Sequence, residues 1–446
     1  MDKQPILITL LAVILLPACE AAKNPASVEV LKTPTVASTE PLNDCYANPT
    51  RDCLTVEALN AAIKIVNPIR RAQALTRVAD VHADAKMPLL AFDAVDLGFE
   101  AVQSTRSSNR NLRDWAKAKL IGVFVKTGNF DRARNELKDI KFIPARDWVL
   151  EKLSIAIVPK YGSTYAEFFR KEISVGHRRA SVLVNVAEIW AESERKVSRG
   201  KSSARQRISS ALAAIWETRD ASASWRARHL GRLGAASLKI GDINRADFTY
   251  KQSLATTLQI PNYQKRGEVL TEIAGDLDRY GSVKLAQKVY SDAFIIAGDL
   301  RSTHARAKLL TKVAETQFKA GNEDQAFETS MKALEAAKKI SNAFKRTGIL
   351  AKIGQVQNKL GKAKQARETI RFALASANLE KKNGHRAHAL ASVANVQAKV
   401  VNVDRAKETI TRAAQSAKDE QKDYFWRTLA LSNIIGVLYK NMGLNS

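Results

Sequence analysis

Few side chains in this chain of 446 residues are spaced for chemistry. The six histidines are His82, His177, His229, His304, His385 and His388, and of these only the last two lie close together, three apart on one helix face. A pair alone falls short of the three or four ligands that hold zinc. There is no Gly-x-Ser-x-Gly elbow and no His-Glu-x-x-His pair. Gly200-Lys201-Ser202 has the end of a phosphate loop, but Arg195 stands where that loop needs its first glycine. The sequence therefore predicts no enzyme, no cofactor and no metal. Its remaining chemistry is thiol chemistry and charge. Cys45 and Cys53, with seven residues between them including Asn48-Pro49, can close a small disulfide loop in an oxidising compartment; in a reducing one they are two free thiols.

The charge is large, with 71 Lys and Arg against 45 Asp and Glu, a net of +26. Arg195, Lys196, Arg199, Lys201, Arg205 and Arg207 form a run that no acidic residue interrupts, a candidate surface for an anionic partner or else a solvated loop. Residues 351–400 carry ten basic side chains against two glutamates, enough to attract an acidic partner at long range. Aromatic side chains at the regular spacing used to stack bases are missing, so no nucleic acid is expected.

The elements that position these groups announce themselves by repetition. Arg226, Arg266, Arg306, Arg346 and Arg386 are forty residues apart, and Arg427 follows after forty-one. Counting from each arginine, leucine stands at +4 and Leu, Ile or Val at +7; glycine or alanine fills +8 in the five full units. Intervals of four, three and one keep to one helical face, so these positions form a buried stripe. Gly241, Gly281, Gly321 and Gly361 at +15 sit where a first helix must stop, because glycine takes the left-handed conformation at little cost; Val401 is the exception. Asp242 and Asn322 just beyond are suitable caps for a second helix. That helix carries alanine at +20 and a small residue at +27. Less regular copies begin at Arg71, Arg113, Arg146 and Arg179. The result is about nine helical hairpins, each needing a neighbour to cover its second apolar face. The six tryptophans are expected in the core between hairpins. A basic column at +13, from Lys239 to Lys440, falls in the last turn of each first helix, where cations complement the helix dipole.

The offsets of small residues at +8, +20 and +27 and of glycine at +15 resemble the tetratricopeptide repeat. That family's unit is 34 residues, so the hairpin here is longer by about a turn and a half of helix. The chain departs from the family in lacking its proline at +32 and in carrying leucine at +4 where the family has tryptophan. The resemblance implies an all-α fold, an α-solenoid coiled into a right-handed superhelix of hairpins with a repeat of about 40 residues, that binds another protein or peptide segment. It also implies a concave lining at offsets +2, +5, +9 and +12. Those slots hold Arg228, Leu238, Glu268, Asp278, Lys308, Glu315, Phe318, Gln355, Asn358, His388 and Asn395.

The N-terminus sets an expected address. Lys3 precedes an apolar run from Ile6 to Leu16, too short for a bilayer and of signal-peptide length. Leu16-Pro17-Ala18-Cys19 resembles a bacterial lipobox, which implies a lipid on Cys19 and anchoring, through Glu20, at the outer membrane. Cleavage after Ala21 is the alternative. The predicted organisation is a signal segment at 1–19, an extended tether with the cysteine loop at 20–60, irregular repeats at 61–225, and regular repeats at 226–446 ending in a capping helix. The expected function is a non-catalytic interaction scaffold of the bacterial envelope, facing the periplasm. The alternatives are a module gripping a polyanion, such as lipopolysaccharide or a wall polymer, and a cytosolic repeat scaffold.

Overall fold

The computed structural model describes residues 44–105, 109–195, 202–280 and 282–441. Its helices begin with α1 (Asp44–Ala47), α2 (Arg51–Ile63), α3 (Pro68–Asp84), α4 (Pro88–Gln103), α5 (Arg110–Thr127), α6 (Phe130–Leu137) and α7 (Ile143–Tyr161). Then come α8 (Ser163–Glu172), α9 (Gly176–Arg195), α10 (Ser202–Glu217), α11 (Ala223–Lys239), α12 (Ile243–Thr257), α13 (Tyr263–Arg279) and α14 (Val283–Asp299). The last seven are α15 (Thr303–Ala320), α16 (Glu323–Lys338), α17 (Ala343–Lys359), α18 (Ala363–Asn378), α19 (Asn383–Val400), α20 (Val403–Lys418) and α21 (Tyr424–Asn441). There is no strand among the described residues. Each odd-numbered helix from α3 to α19 packs as a hairpin on the even-numbered helix that follows, which makes the fold an all-α solenoid.

The units are built as their offsets require. Gly241, Gly321 and Gly361 end their helices with positive φ of 74°, 95° and 70°, while Gly281 lies outside the described residues. Asp242 caps α12 by accepting from the Arg245 N–H at 3.3 Å. Asn322 makes no cap; its amide donates to Asp278 on the neighbouring hairpin instead. A capping column not expected from the offsets stands four before the arginines: Asn67, Asn109, Ser222, Asn262, Ser302 and Asn342 each accept from a first-turn N–H. At +8, a Cβ on Gly234 would sit 2.9 Å from the Tyr250 ring, so only glycine lets that helix come so close.

The arginines themselves close helix ends. Arg266 donates to the carbonyls of Leu258 and Ile260 at 3.0 and 2.8 Å, Arg306 to those of Gly298 and Leu300, and Arg346 to that of Ile340. Each guanidinium thus satisfies carbonyls that the end of the preceding second helix leaves unpaired. Arg71 does the same for Ile65, just beyond α2. That geometry marks α2 as the second helix of a unit whose first helix is elsewhere in the chain.

The missing partner is α21. This helix was expected to cap the stack, and the structure corrects that. Its faces are covered by α19 on one side, by α3 on the other, and by α2 as the hairpin partner. The solenoid therefore closes on itself, with α21 and α2 forming a tenth hairpin from the two ends of the described chain. Arg427 donates to the Tyr46 hydroxyl at 2.6 Å and to Glu57 at 3.0 Å, and Tyr46 in turn bonds Glu57. His82 meets the Tyr439 hydroxyl at 2.9 Å, and Arg70 lies over the Phe425 ring. One apolar core runs from Cys45 to Val186 and on through 377–438, across the seam. The predicted tether at 20–60 is corrected too: from Asp44 onward the chain is helical and belongs to the ring. Leu54, Ala58, Ala61 and Ala62 give α2 an apolar stripe, buried against α21. Cys45 and Cys53 are joined by a disulfide that ties α1 to α2.

Successive first helices touch one another all the way round, whereas successive second helices make no comparable contact among the described residues. The first helices, α3 to α21, therefore form the tighter inner wall and the second helices the wider outer one. Ten inner helices at spacings of about 9–10 Å trace roughly 95 Å, so their axes lie on a circle about 30 Å across. Subtracting one helix diameter leaves a lumen on the order of 20 Å wide.

Candidate inner-wall binding surface

The face each inner helix turns to the lumen is read from exposure. In α13 the half-exposed positions include Gln264, Glu268, Glu272 and Asp276, and in α15 they include His304, Lys312, Glu315 and Thr316, with Lys308 more exposed still. In offsets this stripe is +2, +6, +9 or +10, and +13. The family's +5 slot is buried here: Thr271 is wholly inaccessible and Thr311 nearly so.

From α9 to α15 the wall is neutralised by ion pairs between adjacent helices. Arg228 meets Glu272 at 2.5 Å, Lys239 meets Glu192 at 3.1 Å, and Arg232 pairs with Glu188. Lys308 meets Glu268 at 3.0 Å and Lys312 meets Glu272 at 2.5 Å. Burial pushes the Glu268 carboxyl up, but Gln264 and Lys308 outweigh it and hold it below the usual range. Half-exposed pairs such as these contribute little stability each. Their consequence is that every cation named here has a carboxylate beside it, with Glu272 shared by Arg228 and Lys312.

The remaining wall, α17 through α19, α21, α3 and α5 to α7, is different. Helices α17, α19 and α21 contain no Asp or Glu. On α3, Asp80 and Asp84 are both taken by Lys126, at 3.3 and 2.8 Å. On α5 and α7, Asp114 and Asp147 are buried and accept backbone N–H groups at the start of the next inner helix, while Glu151 is held by Arg178 at 2.7 Å. Lys352, Lys359, Lys399, Lys440, Arg77 and Lys152 make no ion pair with any described residue. Between α5 and α7 lies a hollow of about 710 Å³ lined by Lys119, Lys152, Trp148, Gly122 and Ile155. Trp148 fits because Gly122 has no side chain; a Cβ there would sit 3.0 Å from the ring. Lys119 lies 3.8 Å from the Trp148 ring centre, and burial first, then Lys152 and Arg178, hold its pKa below the ordinary lysine value. Trp115 and Trp148 thus face the inner wall while packing against the core, Trp190 and Trp225 pack against core clusters as expected, and Trp216 departs from the expectation by being exposed on the outer layer.

The predicted groove residues distribute as follows. Arg228, Glu268 and Lys308 are in the paired arc, with Glu315 held by Lys319 at 2.9 Å. Asp278 is buried against Asn322, and Phe318 packs into a cluster with Ala314 and Val356. Gln355 and Asn358 are half-exposed on α17. His388 is held close to neutral by burial and by Arg77, which lower its pKa to about 4, and Asn395 accepts from Asn441 at 2.7 Å. His385 turns to the Trp426 ring, 4.2 Å between centroids, and no group of three potential metal ligands exists among the described residues.

The basic run does not converge. Arg195 pairs with Glu192 and Arg205 with Asp242, while Arg207 stacks on Trp190 and donates to Ser163. Lys196, Arg199 and Lys201 lie outside the described residues, as does Cys19. No described helix is long and apolar enough to cross a membrane. The residues that sequence reasoning missed are those at +6: Arg77, Lys119, Lys152, Arg232, Lys312 and Lys352. They lie four after +2, and that interval alone places them on the same face.

No protein family matches the chain, and no curated protein matches it. Among solved structures, a circular tandem repeat protein with novel repeat topology and enhanced subunit contact surfaces aligns over 85% of this chain and 98% of its own length, at 12% identity and a TM-score of 0.27. At that score the likeness adds nothing to the ring, which rests on the contacts of α21 with α2 and α3.

Proposed function

We propose that the protein is a non-catalytic, ring-shaped scaffold whose inner wall receives a segment of another protein. The observation that carries this reading is the closed wall itself, ten inner helices turning polar, half-exposed side chains toward one opening. A surface of that kind offers many weak polar contacts around one extended guest. It does not converge reactive groups. The tetratricopeptide-like offsets favour the same class of partner, since such stacks bind rather than catalyse.

The reading includes an envelope address. The signal-like run before Cys19 motivates it, and the Cys45–Cys53 disulfide accords with an oxidising compartment. A photo-crosslinking amino acid at Gln355, on the inner wall, tests the scaffold reading against the same probe at Lys364, on the outer layer. One discrete crosslinked protein from the inner position and none from the outer is the expected result. The same products from both positions, or none, would refute it. Intact mass and fractionation of the wild type and of Cys19→Ser test the address separately. An unprocessed wild-type chain in the soluble fraction contradicts it.

A further inference from the structure

We infer that the guest segment is acidic and lies on the arc of the inner wall from α17 across the seam to α7. This rests on the scaffold reading and names the chemistry of its partner. Every carboxylate on these six helices is committed: to Lys126, to Arg178, or to backbone N–H groups. The cations are not. Lys352, Lys399, Lys440, Arg77, Lys119 and Lys152 share the lumen face with no carboxylate partner among the described residues, and Glu315 on α15 is held by Lys319. Between α9 and α15 each named cation has a carboxylate beside it, Glu272 serving both Arg228 and Lys312, so the unpaired cations belong to this arc. Like charges gathered on a concave wall raise the local potential and attract an acidic chain.

The side chains between the cations select a peptide over a phosphate polymer. Gln355 and Asn358 each carry a donor and an acceptor, the pair that a peptide group needs and a phosphate does not. Five of the six cations are lysines, which lack the flat fork by which arginine grips phosphate. The apolar floor of the hollow, Trp148 and Ile155, admits an aliphatic side chain beside the acidic ones. Trp115 and Trp148 meet edge to face and so offer no stacking ladder for bases.

Anisotropy of a fluorescent oligoglutamate containing one leucine tests this on the full chain, beside a glutamine version and an oligothymidylate. Lys119→Ala/Lys152→Ala/Lys352→Ala removes three exposed inner cations, and Lys284→Ala/Lys364→Ala/Lys407→Ala removes three outer ones at equal cost in net charge. The inner triple variant should bind oligoglutamate roughly tenfold more weakly or worse, and the outer one within about twofold of wild type. Equal loss in both variants would overturn the site, and tighter binding of oligothymidylate would overturn the peptide assignment. No oligoglutamate binding, with the Gln355 crosslink retained, would sink the acidic guest and leave the scaffold standing. Loss of both sinks both.

Discussion

Replacing Arg427 with alanine should open the ring at its seam. Arg427 is a half-buried cation whose partner Glu57 is 7% exposed, and among the described residues no other cation is within ion-pair distance of that carboxylate. Removing the guanidinium leaves Glu57 with the Tyr46 hydroxyl alone. Breaking a buried pair from one side costs about 3–5 kcal/mol. The cost falls on α2, held mainly through α21, so local opening there should become roughly a hundredfold more frequent at 3 kcal/mol. Hydrogen exchange of α2 and α21 amides, with α12 and α13 as internal controls, reads this directly. Adding Glu57→Gln should restore much of the protection, because the unpaired charge is then gone. Exchange in α2 unchanged by Arg427→Ala, or rising equally in α12, would refute the seam. A double variant as labile as the single one would show that packing, and not charge, carries the cost.

Three further outcomes follow from named residues. Burial, reinforced by Arg51 at His82, lowers the pKa of His82 and His229 to about 4. Above the unfolded value of 6.5 both states are neutral and stability is full; as pH falls from there toward 4 only the unfolded chain gains the proton, so each histidine withdraws about 3 kcal/mol. Chemical denaturation from pH 7.5 to 4.5 should show that slope, and His82→Gln should lessen it. Ala326 is wholly buried in the hairpin seam, so Ala326→Leu should cost about 1–3 kcal/mol, and an unchanged melting temperature would contradict the packing. Cys45 and Cys53 should resist alkylation until reduced; reduction should loosen α1 and cost roughly 2–4 kcal/mol.

The hairpin was legible because its determinants lie within forty residues. Leucine at +4, a small residue at +8 and glycine at +15 act on the nearest helix, and their spacing carries the helical period. The arginine column was visible too, and its carbonyl contacts are local, six to nine residues back. Closure was not legible. Glu57 and Arg427 are 370 residues apart, and whether a stack closes depends on a small rotation added at every unit. Asp44 to Asn60 reads with the tether and its cysteine loop, because the apolar stripe of α2 is short. The inner stripe was misplaced for a plainer reason. Longer helices carry it along +2, +6, +9 and +13, so the borrowed +5 slot falls toward the core, and so do Asp278 and Phe318 of the +12 column. The buried aspartates after Arg113 and Arg146 give a signal only once their backbone partners are known.

The ring requires that α2 and α21, from the two ends of the described residues, build one hairpin. Spin labels introduced as noncanonical residues at Lys64, after α2, and Lys422, before α21, test it by pulsed dipolar spectroscopy without disturbing the disulfide. Closure predicts one narrow distance distribution of roughly 10–25 Å, a helix spacing plus the label arms. An open stack of the same helices would hold those labels on the order of 60 Å or more apart, and a broad distribution centred there would contradict the ring.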